Sequence, residues 1–125
     1  MLRTVINLRD GDQTGSDDIK NALEDFLHRY IEERDLFEKD DTGRVPTPLP
    51  RGLVIDGPAL LEAMRTTESQ CALLKAAQAC HSVVGCRLSP DQKRALVSLV
   101  RENLPETRTL SIGDGANDVP MIQTA

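Results

Sequence analysis

At 125 residues the chain has room for one small domain with one core. Its formal net charge is −5 and Phe26, Phe37 and Tyr30 are its only rings, so no nucleic-acid partner is expected: neither a basic surface nor a base-stacking platform can be built. Cys71, Cys80 and Cys86 are odd in number and lack a CxxC spacing, which excludes a disulfide scaffold and fits a reducing compartment.

No apolar run approaches the ~20 residues of a membrane span, and the opening MLRTVINLRD lacks the apolar stretch of a signal peptide. Thr4–Leu8 is β-rich and reads as a strand, followed by a Gly/Asp/Ser loop over residues 10–16. From Ile19 the apolar residues Ala22, Leu23, Phe26, Leu27, Tyr30 and Ile31 form the stripe of an amphipathic helix, with Ser16 as its expected N-cap. Residues 1–37 therefore make an N-terminal strand and helix. Residues 38–51, rich in charge and proline, make a flexible loop that also contains a PxxP spacing. Residues 52–125 make the remaining unit.

Within that unit Leu53-Val54-Ile55 is a buried strand closed by Asp56-Gly57, and Pro58 starts a short helix through Met64. Glu68–Ala79 is a second helix and Ser82–Cys86 a second strand. Ser89-Pro90-Asp91-Gln92 is a capping box that opens a helix to about Asn103, with Leu96, Leu99 and Val100 on its inner face. Thr107–Ile112 is expected to be the last strand. Alternating strands and helices predict an α/β fold, a mainly parallel sheet with helices on its faces.

The sharpest chemical signal is Gly113-Asp114-Gly115-Ala116-Asn117-Asp118, directly after that last strand. Ligands in open α/β sheets bind beyond the carboxyl ends of strands. Two carboxylates this close repel, and Mg²⁺, held by one or two carboxylates plus phosphate oxygens and water, relieves the repulsion. An acidic turn with Asp118 as a helix N-cap is the plainer alternative. An EF-hand is excluded by spacing, because the third, sixth and twelfth positions from Asp114 are Ala116, Val119 and Ala125. Lys93, in the first turn of the capped helix, is a second signal. A cation is disfavoured at that end, and a phosphate there would compensate it; a solvated lysine is the alternative. Arg87 carries the same ambiguity.

The segments Val83-Val84-Gly85-Cys86-Arg87-Leu88-Ser89-Pro90-Asp91-Gln92-Lys93 and Leu110-Ser111-Ile112-Gly113-Asp114-Gly115-Ala116-Asn117-Asp118-Val119-Pro120-Met121-Ile122-Gln123 resemble the phosphorylation domain of phospholipid-transporting P-type ATPases, the flippases. Leu53–Gly57 resembles the strand and turn that precede them. Gly-Asp-Gly-x-Asn-Asp alone marks the wider haloacid-dehalogenase superfamily, whereas the two motifs together are much narrower. Gly85 and Pro120 depart from the usual residues, and neither removes a ligand. The resemblance implies a partial Rossmann-like, haloacid-dehalogenase-like three-layer fold. It implies that Asp114 and Asp118 hold Mg²⁺, that Lys93 pairs with the transferred phosphoryl group, and that Arg87, Asn117 and Asp118 lie along bound ATP. Lys93 and Asp114 would be its catalytic members. ATP and phospholipid, and an accessory subunit, would be partners of a multi-pass parent whose phosphorylation domain stands at the cytosolic face of a membrane.

The family's Asp-Lys-Thr-Gly-Thr segment, with its nucleophilic Asp, does not occur in the 125 residues. The expectation is therefore a fragment that cannot by itself form a phosphoenzyme. Two other readings stay open. A stand-alone phosphatase of the same superfamily would use Asp10 and Asp12 as its Asp-x-Asp pair, although Gln13 stands where a hydroxyl residue is usual. A degenerate, non-catalytic remnant would bind a partner through the helix at residues 17–37.

Overall fold

The computed structural model describes residues 4–8, 16–37 and 50–125. The Asp10/Asp12 pair and most of the loop at 38–51 lie outside the described residues. Three strands, β1 (Thr4–Leu8), β2 (Arg51–Asp56) and β3 (Ser82–Cys86), form one sheet in the order β1-β2-β3. Both pairings are parallel; Ile6 stands opposite Leu53, and Leu53 opposite Val83. The alternation of strands with helices α1 (Ser16–Phe37), α2 (Gly57–Ala63), α3 (Thr67–Gln78) and α4 (Pro90–Asn103) is the one expected, and the fold is a partial Rossmann-like α/β arrangement.

Strand order that follows chain order, with right-handed crossovers as the rule, places the connecting helices on one face of the sheet. Accordingly α1 packs against both α2 and α3. On β2, Leu53 and Ile55 are fully buried while Val54 is half-buried, the period of two that a strand imposes. Leu23 and Phe26 of α1, Leu60 of α2 and Leu73 of α3 close the core with them. Each such side chain contributes about 1.5–3 kcal/mol by leaving water. The apolar stripe of α1 runs out at Ile31, which is 46% exposed.

Polar residues set the element boundaries. Asp56 Oδ1 accepts from Ala59 N–H at 3.0 Å and caps α2, with Pro58 in its first turn. Thr66 and Ser69 form a reciprocal capping box at the start of α3. Arg51, buried at the start of β2, pairs with Glu33 and lies 4.7 Å from the centroid of the Tyr30 ring, tying α1 to the sheet.

One boundary departs from expectation; helix α1 is described from Ser16 onward. Residues 107–112, expected to be a strand, join no ladder. A strand needs a neighbour for its backbone groups and a layer for its side chains. Residues 107–112 have neither among the described residues, and Leu110 and Ile112 are 85% and 82% exposed.

Candidate functional site

Helix α4 starts where the sequence requires. Ser89 Oγ accepts from Gln92 N–H at 3.2 Å, and Gln92 Oε1 accepts from Ser89 N–H at 2.9 Å. This reciprocal cap opens the helix immediately beyond β3 and puts Lys93 in its first turn. Leu99 is buried, and Leu96 and Val100 pack against the core from half-buried positions. At its far end Arg101 donates to Thr124 O, holding the short helix α5 (Val119–Thr124) alongside.

Lys93 Nζ donates to Asp118 Oδ1 at 2.7 Å, with side chains 27% and 13% exposed. Asp118 ends a single 3₁₀ turn, Ala116–Asp118, and stands at the N-cap position of α5. Its carboxylate does not cap that helix. It turns back and accepts from Gly115 N–H at 3.3 Å. The hydrogen bond from Lys93 comes first, and that from Gly115 second, in holding the Asp118 carboxyl below its ordinary value of 3.8.

The glycines of the loop are explained by crowding. A Cβ on Gly113 would fall 2.4 Å from Asp118 Cβ, and one on Gly115 would fall 2.3 Å from Asn117 Oδ1. At Gly113 the loop closes on Asp118 only because a side chain is missing, whereas the exposed Asn117 amide can swing away from a Cβ at Gly115. Asp114 and Asn117 are exposed. Among the described residues no group of three or more His, Cys, Asp or Glu side chains converges as a metal cage. Two carboxylates nevertheless suit Mg²⁺, which retains water and takes phosphate oxygens.

The structure thus brings Lys93, Asp118 and the glycine loop together. Arg87 points elsewhere: one guanidinium nitrogen lies 3.5 Å from Asp56 Oδ2 while the side chain is 81% exposed. Its backbone is left-handed, with φ 54°. Beside Lys93 and Asp118 opens a cavity of about 470 Å³ whose other lining residues are uncharged, among them Ile55, Val83, Leu96 and Ile112. Sequence reasoning missed the part played by Asp56, which is buried and reaches both α2 and Arg87. Its position at a strand's carboxyl end was the available signal.

No family model matches the chain. Individual proteins do. The chain is 42% identical over 114 residues to phospholipid-transporting ATPase tat-1 of Caenorhabditis elegans, covering 91% of this chain and 9% of that protein. It is 41% identical over 132 residues to phospholipid-transporting ATPase DNF1 of Chaetomium thermophilum, covering 100% of this chain and 8% of that protein. Human phospholipid-transporting ATPase VB is 37% identical over 132 residues, covering 98% and 9%. The chain spans less than a tenth of these relatives' length. With the glycine loop, the capped lysine helix and the parallel α/β sheet all present, the chain belongs to the phospholipid-transporting P-type ATPases, as a segment of their length.

Proposed function

We propose that this chain supplies the magnesium and phosphate site of the phosphorylation domain of an ATP-driven phospholipid-translocating pump. The observation that carries this reading is the Lys93–Asp118 pair inside a glycine loop that a single Cβ would disrupt. Asp114 and Asp118 would hold Mg²⁺, which when bound neutralises phosphate charge. Lys93 would turn its ammonium to a phosphoryl oxygen, and Asn117 and Arg87 would lie along the nucleotide. Phosphoryl transfer depends chiefly on positioning and charge neutralisation, and these residue types supply both. The nucleophilic Asp would come from outside these 125 residues, so the chain alone would form no phosphoenzyme. Phospholipid, the cytosolic face of a membrane, and any accessory subunit would belong to the parent protein. Among the described residues no helix is long and apolar enough to cross a membrane.

The test is a thermal shift with Mg²⁺. For a dissociation constant near millimolar and Mg²⁺ at that concentration, stabilisation is on the order of 0.4 kcal/mol. Asp114→Asn should abolish it, with no strong preference for Ca²⁺. An equal shift in the Asp114→Asn/Asp118→Asn double variant would leave the loop as an acidic turn and refute the proposal.

A further inference from the structure

We propose that Gln92 is a positioning residue, whose carboxamide ties the first turn of α4 to the β2–α2 turn and so fixes where Lys93 meets Asp118. The consequence for ligand binding rests on the reading of Lys93 and Asp118 given above. A capping box needs only an acceptor on the third helical residue, and glutamate serves as well as glutamine. Here Gln92 Oε1 fills that part by accepting from Ser89 N–H at 2.9 Å. The amide's donor is surplus to the cap, and it is used across the fold: Nε2 donates to Gly57 O at 2.7 Å.

The receiving turn is shaped for this approach. Gly57 is buried, and a Cβ there would stand 3.0 Å from Arg87 O and 3.1 Å from Gln92 Oε1. The missing side chain lets the ends of β2 and β3 and the start of α4 close on one point. Lys93 is the next residue along, with its Nζ 2.7 Å from Asp118 Oδ1. One carboxamide therefore couples the strand ends to the residue proposed to meet phosphate.

Gln92→Glu separates the two duties. The cap keeps its acceptor, but a carboxylate oxygen now faces the Gly57 carbonyl, and two acceptors repel. In the 125-residue chain, Gln92→Glu should retain the helical circular dichroism of the parent. It should lose the nuclear Overhauser contact between the Lys93 side chain and Asp118, measured without added ligand. The response of the Gly113 and Gly115 amides to Mg²⁺ with inorganic phosphate should weaken about tenfold, as for partners that orient a ligating group. Gly57→Ala, which leaves Gln92 intact and pushes the turn away, should lose the same contact and is the measure if Gln92→Glu fails to fold. An unchanged Lys93–Asp118 contact in either folded variant overturns the proposal. Lys93→Gln judges the ligand site separately. If it and the parent respond alike to Mg²⁺ and phosphate, the site reading fails, while the ligand-free contact still decides the role of Gln92.

Discussion

Replacing Leu99 by alanine probes how α4 is held against the sheet. Leu99 is 5% exposed and belongs to the core, whereas Leu96, one turn earlier, is only half-buried. Both line the cavity of about 470 Å³, so neither is packed on all sides. Leucine-to-alanine changes in closed cores cost about 2–5 kcal/mol, the spread reflecting the void left behind. Leu99 starts nearly closed, so about 3 kcal/mol is expected. Leu96 already borders open space and should cost about 1–2 kcal/mol. With a urea slope of about 1.5 kcal/mol/M, Leu99→Ala lowers the unfolding midpoint by about 2 M and Leu96→Ala by about 1 M. Circular dichroism in urea measures both. Losses within about 0.5 kcal/mol for both changes, the range of surface substitutions, would refute the assigned inner face of α4, and with it the account of how Lys93 is presented.

Asp118 has a depressed carboxyl, so its pairing stabilises the fold above the unfolded value of about 4 and is lost as pH falls through the folded value. The difference in urea midpoint between the parent and Asp118→Asn should be constant from pH 7 to about 5 and shrink below pH 4; a difference that grows on acidification would contradict the pairing. Burial pushes the Cys80 thiol above its ordinary 9.0, outweighing the lowering by Arg51, while Cys71 is exposed. Iodoacetamide at pH 8 should therefore label Cys71 well before Cys80, as peptide mapping by mass spectrometry would show; the reverse order would refute it. Val84 on β3, the last strand of the sheet among the described residues, and Ile112 are exposed, so Val84→Lys with Ile112→Lys should reduce concentration-dependent light scattering. Unchanged scattering would place self-association elsewhere.

Local chemistry announced its consequences well in this chain. The capping box at Ser89–Gln92 and the helix stripe from Ile19 depend on neighbours within a few residues, and sequence reasoning placed them correctly; the strand at 82–86 was placed as well, and distant β2 supplies its partner. Thr107–Ile112 has equally good β composition, yet whether it pairs depends on a second strand that no local pattern supplies. The Lys93–Asp118 contact was anticipated only as two separate signals, because a separation of 25 positions is bridged by the packing of α4 on α5. Gln92 was recognised as a cap, but its second bond runs to Gly57, 35 residues away, and a spacing rule for helix starts is blind to it. Asp56 looked like the end of a strand; its buried carboxylate became meaningful once β3 delivered Arg87 beside it.

The left-handed backbone at Arg87 has a practical consequence for anyone engineering this chain. An L-residue there costs about 1–2 kcal/mol relative to the right-handed region, and glycine avoids most of that strain. Directed evolution scored on heat resistance alone should thus find Arg87→Gly rewarding wherever the released strain exceeds the loss of the 3.5 Å contact with the buried Asp56 carboxylate. The same change deletes a cation proposed to lie along the nucleotide. Selection for robustness and selection for ligand capture pull this codon in opposite directions, so a library built here should be screened on both.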